Sequence, residues 1–251
     1  MSSRVILRGF VSGVLFLAVT AALPAQQLSK NGRPAAAPFG PPHVDVIGAT
    51  SITQSTNTVT VTTGNSVSCN GGSPTFFHTD NSYYRAFTLS AFNPPLDQLQ
   101  FMVQSVTIGI ENSNASGTGT TQPITVNIYN ASANPPTVAT LGPVLSTVTA
   151  NVSDQANTTL TIPLTTQPVF LTATGILVVE IFTPNGQAAG HSFFIGSNAL
   201  GQSGPSFIRA ASCGVTEITN LASIGFANMH IVMVVNGNSQ APVSLETVTV
   251  E

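Results

Sequence analysis

Charged side chains are scarce in this sequence. They make up 6% of its 251 residues, against about 25% in an average soluble protein. Ser, Thr, Asn and Gln supply the polar surface instead. That composition suits the strands and turns of exported β-proteins better than it suits intracellular enzymes. Cations are the scarcest group. Beyond Arg4 and Arg8, only Lys30, Arg33, Arg85 and Arg209 stand against nine acids, a net charge of about −5. With no basic patch to neutralise phosphates, nucleic acid is excluded as a partner.

Long apolar runs are almost as rare. The one candidate, Phe10 to Leu23, is shorter than the roughly 20 residues of a spanning helix. Arg4 and Arg8 precede it and Leu23-Pro24-Ala25 follows, so residues 1–25 read as a signal peptide. No membrane span is expected after its removal. The protein is therefore expected to be exported, to the exterior, the cell surface or a periplasm. Helical periodicity is also missing; Ile218 to Phe226 carries at most one turn within a loop. Strand spacing is uneven, which argues against an internal repeat.

What is present reads as strands. Residues 26–43 are rich in Ala and Pro and form a linker. From Val44 short alternating or apolar segments follow, bounded by Gly, Pro and Asn: Thr58 to Thr63 (TVTVTT), Ser82 to Leu89, Leu99 to Glu111, Ile124 to Tyr129, Val144 to Val152, Leu160 to Leu164, Val169 to Thr172 and His230 to Val235. The organising stretch runs from Gly175 to Gly214 and holds Ile176 to Thr183, His191 to Gly196 and Ser206 to Ala210. The expected fold is all-β, a two-sheet antiparallel β-sandwich of jelly-roll type over residues 44–237. Residues 238–251 are expected to form a tail or an added edge strand.

Cys69 and Cys213 are the only cysteines. An even count in an exported chain predicts a disulfide between them. A metal pair would need His or Cys at ligand spacing, which neither has. Arg85 shares a strand face with Tyr83, Phe87 and Leu89. Glu180 shares one with Ile176, Val178 and Phe182. A buried charge is costly unless paired, so the expected arrangement is a buried Arg85–Glu180 ion pair.

Catalytic patterns are weak. Glu111 and Glu180 could serve as paired carboxylates of a glycoside hydrolase, but no spacing motif joins them. His78, His191 and His230 with Asp80 match no metal signature. Gly201-Gln202-Ser203-Gly204 is not a nucleophile elbow, and the glycines of 196–204 lack the Lys and helix of a phosphate loop. Asp80 and Asn81 suit turn capping better than calcium binding. Asn114, Asn130, Asn151 and Asn157 begin Asn-x-Ser/Thr triplets, as expected in a chain this rich in Asn and Thr. No cofactor is expected.

Cys69-Asn70-Gly71-Gly72, Asp80 to Phe87, Val126-Asn127-Ile128-Tyr129, Leu177 to Phe182, His191 to Arg209 and Gly225 to Met233, in this order, resemble the jelly-roll-like β-sandwich accessory domains of exported bacterial proteins. The likeness covers roughly residues 66–237. The resemblance implies no catalytic residues. The function expected from the sequence is non-catalytic binding of a ligand or surface, a glycan or cell-envelope component. A structural or adhesive matrix role and a secreted hydrolase are the alternatives.

Overall fold

The computed structural model describes residues 46–72, 75–93, 96 and 99–240. The signal peptide, the linker and residues 241–251 expected from the sequence lie outside these residues. Fourteen strands follow one another: β1 (Val46–Thr53), β2 (Asn81–Thr88), β3 (Gln100–Asn114), β4 (Thr121–Asn130), β5 (Val144–Ser153), β6 (Gln155–Pro163), β7 (Val169–Leu171), β8 (Ile176–Thr183), β9 (Ser192–Ile195), β10 (Ser197–Asn198), β11 (Ser206–Ala210), β12 (Val215–Asn220), β13 (His230–Ile231) and β14 (Met233–Gln240). The body thus continues three residues past the expected boundary at 237. Among the described residues helical geometry is confined to short 3-10 turns such as Leu221–Ile224, within the loop where one turn was expected.

Twelve of the strands form two large antiparallel sheets, and β10 pairs with β13 in a separate two-stranded one. Sheet I has the order β1-β14-β3-β6, with β7 and β9 also paired to β3; sheet II has the order β12-β11-β2-β8-β4-β5. Strands 1, 14, 3 and 6 facing strands 2, 8, 4 and 5 give the eight-strand order of a jelly roll. The segment between β8 and β14 supplies the additional β9 to β13. The interleaved order follows from the chain crossing between sheets at nearly every connection, so most pairings join residues far apart in sequence.

The 15-residue β3 is the spine of sheet I. One of its edges pairs with β14 and then β9, the other with β7 and then β6. At the junction the backbones of Gly109, Gly196 and Val232 exchange hydrogen bonds: Gly109 N–H to Val232 O (2.9 Å), Gly196 N–H to Gly109 O (2.7 Å) and Val232 N–H to Gly196 O (3.0 Å). A Cβ on Gly196 would sit 2.4 Å from the Gly109 carbonyl carbon. Only glycine permits that approach.

The core lies between the sheets. Tyr83 and Phe87 of β2, Val106, Ile108 and Ile110 of β3, Val179 and Ile181 of β8 and Val235 of β14 belong to it. A smaller apolar cluster covers the outer face of sheet II: Tyr84, Ala86, Tyr129, Leu141, Val178, Phe207 and Ile218. β2 and β8 are therefore buried on both faces; β8 (ILVVEIFT) reads as a nearly continuous apolar run, whereas β2 (NSYYRAFT) buries Asn81, Ser82 and Arg85 beside its aromatics.

Thr58 to Thr63 differs from expectation. It alternates like a strand but joins no sheet. Asn57 Oδ1 accepts from the N–H groups of Val59 and Thr60 and turns the chain there, and Val59 is left exposed. Its one ladder-like contact is Thr62 N–H to Ser197 O at 2.8 Å. Alternation without a partner strand does not make a sheet.

Candidate functional site

Cys69 and Cys213 are disulfide-bonded, with Cα atoms 5.9 Å apart. Asn81, at the start of β2, holds the first of them. Its Oδ1 accepts from Cys69 N–H at 2.7 Å, and its Nδ2 donates to Cys69 O and Thr79 O. Asp80 accepts from Ser212 Oγ at 2.7 Å, beside the second cysteine. The Asp80-Asn81 pair thus ties together the two segments that the disulfide joins; of its bonds only that to Thr79 O is local, and the others reach beyond the turn the sequence assigned it to cap.

Arg85 and Glu180 do not form the expected ion pair. In the β2–β8 ladder Arg85 lies opposite Val179, and Tyr84 lies opposite Glu180. Directly paired residues share a face, so Arg85 points into the core with Val179 and Glu180 points outward with Tyr84. Each strand's faces were readable from the sequence; which face was inner was not.

Arg85 is fully buried. Its Nε and Nη2 donate to Ile231 O, at 3.2 and 2.5 Å, and its Nη1 donates to Gly204 O at 2.8 Å. Ser55 Oγ, 3.5 Å from Nη2, also donates to Ile231 O. Burial pushes the guanidinium down to about 9, which leaves it charged at neutral pH. It fastens the 201–204 glycine loop and β13 to β2. This role explains the loop's glycines better than phosphate binding does: a Cβ on Gly204 would strike the Gln54 amide.

Glu180 is also buried. Its Oε1 accepts from Tyr84 OH at 2.7 Å; its Oε2 accepts from Tyr129 OH at 2.6 Å and Asn127 Nδ2 at 2.9 Å. Burial raises the carboxyl, but hydrogen bonds from Tyr129, Ser82, Asn127 and Tyr84 outweigh it and hold the group below its ordinary value. Burial first, and then the charge of Glu180, push Tyr84 up. A carboxylate satisfied from both neighbouring strands, β2 and β4, is a structural element of the sheet.

Glu111 lies in the other sheet. The β3–β9 register shifts between Ile110 and Asn112, so Glu111 is the extra residue of a bulge, a device that re-aims side chains. On the β6 side Asn157 takes a left-handed φ of 52°. Alternation slips here: Ile108, Ile110 and Ser113 are all buried, and Asn112 turns outward with its partners Ala156 and Phe194. The Glu111 carboxylate accepts from Gly64 N–H at 2.8 Å and Ser66 N–H at 2.9 Å. It thereby pins the β1–β2 loop over this end of the sheet.

The result is an open groove of about 400 Å³, lined by Thr63, Gly64, Ser66, Phe76, Glu111, Asn112, Ala156, Asn157, Ser192 and Phe194. Phe76 is 45% exposed. Asn112 Nδ2 donates to Ser192 Oγ at 3.0 Å and Asn157 Nδ2 to Thr63 Oγ1 at 2.8 Å. Sequence reasoning had singled out Glu111 and Asn157 but not Phe76, Phe194 or Asn112. The bulge that gathers them has no signature in the alternation of any one strand.

His78 and His191 line one small pocket, to which His230 does not belong. His78 is buried, with Nδ1 2.8 Å from Thr79 O and Nε2 3.0 Å from Gln122 Oε1. His191 Nε2 lies 2.9 Å from Thr118 Oγ1; burial and then the neighbouring His78 push its imidazole down. His230 Nδ1 accepts from Gly201 N–H. Among the described residues no three His, Cys, Asp or Glu side chains converge on a point where a metal could sit. No helix among them is long and apolar enough to cross a membrane. Comparison with protein-family models, curated proteins and solved structures finds no match to this chain.

Proposed function

We propose that this is an exported, non-catalytic jelly-roll protein that binds a glycan or a carbohydrate component of a cell envelope in the Phe76–Phe194 groove. The groove carries the reading. It combines exposed aromatic surface with amide and hydroxyl groups around an open trough, the combination that accepts a sugar's apolar face and hydroxyl rim. Export is supported by the signal-like residues 1–25 and is compatible with the disulfide. A hydrolytic reading would need its two carboxylates together. Glu111 belongs to sheet I and Glu180 to the outer face of sheet II, and hydrogen bonds occupy both.

Geometry adds support. β1 begins at Val46, paired with Gln240 at the end of β14, and Gln240 pairs with Gln100 at the start of β3. Asn112 lies twelve residues further along that strand, about 40 Å at strand rise. Both ends of the domain leave from the pole opposite the groove, so a tethered domain would present the groove outward.

A glycan array probed with the mature chain and with Phe76→Ala tests the reading. A saturable hit lost in the variant supports it; a wild-type protein that binds no glycan refutes it. Lateral assembly is the second reading. It draws on the exposed Leu99, Val169 and Leu171 at the pole away from the groove, and concentration-dependent self-association without a glycan hit would favour it.

A further inference from the structure

The hydrogen-bond inventory of the groove restricts which glycan it suits. Asn112 and Asn157 each spend an amide N–H on a neighbouring hydroxyl. Among the described residues neither Oδ1 accepts a bond from the protein. Each Glu111 oxygen takes one backbone N–H and keeps a lone pair, because a carboxylate offers about four acceptor positions. The Asn oxygens and the Glu111 carboxylate are therefore free acceptors beside the Thr63 and Ser192 hydroxyls and the second N–H of each Asn, and the carboxylate is the one ionisable group in the lining. No Lys, Arg or His lines the groove.

Two further observations agree. The rings of Phe76 and Phe194 are aromatic faces of the kind that attract a nearby cation. Between residues 46 and 240 the only cations are Arg85, which is buried in the core, and Arg209; six acids share that stretch. The field around the body is acidic, so it attracts cationic ligands and repels acidic ones.

We propose that the groove selects glycans carrying free amines, of the 2-amino-2-deoxyhexose class, over N-acetylated, neutral or uronic glycans. The ammonium group supplies three donors to the Glu111 and Asn oxygens, and the pyranose face rests on Phe76. N-acetylation removes the charge and most of the donors, and a uronate places like charges together. This inference rests on the reading of the groove as a glycan site.

The test is calorimetric titration of the mature chain, at low ionic strength and mildly acidic pH, with four β-1,4-linked hexamers: glucosamine, N-acetylglucosamine, glucose and a uronate. The glucosamine hexamer is expected to bind at least about tenfold tighter than the acetylated and glucose hexamers, with the uronate weakest. Phe76→Ala, at an exposed position that leaves the core intact, is expected to weaken all the hexamers alike, and Glu111→Gln, with its fold checked by circular dichroism, is expected to abolish the preference. Equal binding of the free-amine and acetylated hexamers would overturn the amine selectivity and leave the glycan site standing. No binding by any hexamer would overturn the selectivity, and the glycan array would then decide whether the groove binds sugars at all. A preference that survives in folded Glu111→Gln would assign the effect to overall acidic charge and overturn the inference.

Discussion

Glu180→Met removes the acceptor shared by Tyr84, Tyr129 and Asn127 and leaves three donors behind. Tyr84 is 2% exposed and cannot reach water; Tyr129, at 8%, does so only in part, and Asn127 is half-buried. An orphaned buried donor costs about 1–3 kcal/mol. One full penalty and two partial ones, less the relief of no longer burying a charge, come to about 3 kcal/mol. Glu180→Gln keeps the shape. Its amide oxygen accepts one hydroxyl and the Tyr129 hydroxyl can turn to accept from the amide nitrogen, so the loss is about 1–2 kcal/mol. Urea unfolding of the oxidised protein at neutral pH, followed by far-ultraviolet circular dichroism, measures both. The sharper test is a double-mutant cycle with Arg85→Met. The two side chains project from opposite faces of sheet II and share no partner. Their losses should therefore add within about 0.5 kcal/mol. A coupling above about 1 kcal/mol, or a Glu180→Met variant as stable as wild type, would refute the assignment of the two charges to separate networks.

Acid should weaken the protein through the same carboxylate. Its folded value is depressed, so its contribution is complete above the ordinary carboxylate range and is lost as pH falls through the folded value; stability against pH should fall less steeply at the acid end in Glu180→Gln than in wild type. Gly196→Ala should cost about 3 kcal/mol, because the added Cβ meets Gly109 backbone rather than a flexible side chain, and a thermal melt unchanged from wild type would contradict the close approach. Reduction of the disulfide, which spans a sequence separation of 144, should lower stability by at most about 5 kcal/mol in the chain-entropy model, measured as the shift in urea midpoint with and without reductant. Arg85→Met alone should cost about 3 kcal/mol, since it leaves Gly204 O buried without its donor, and a neutral result would show that water enters there.

Strand alternation outside Thr58 to Thr63, turn residues and the cysteine count are local or compositional signals, and among the described residues they carried their expectations through. The apolar run of β8 announced a strand, and the two cysteines could pair only with each other. Asp80-Asn81 reads locally as a turn cap, yet its side chains reach Cys69 and Ser212, 12 and 132 residues away, which no local pattern shows. Tertiary pairing decided the rest. TVTVTT has the pattern of a strand, yet no neighbour offers it a ladder. Arg85 and Glu180 each stand among apolar neighbours in their own strand, but a register in which Arg85 meets Val179 turns them to opposite faces, since a shift of one residue reverses every side chain. The groove depends still more on tertiary structure. Phe76, Glu111, Asn157 and Phe194 come from a loop and three strands spread over more than a hundred residues, and they meet only because a bulge on β3 and a left-handed residue on β6 slip the alternation at the same level. No single segment of the chain contains that coincidence; the packing of the strands against one another creates it.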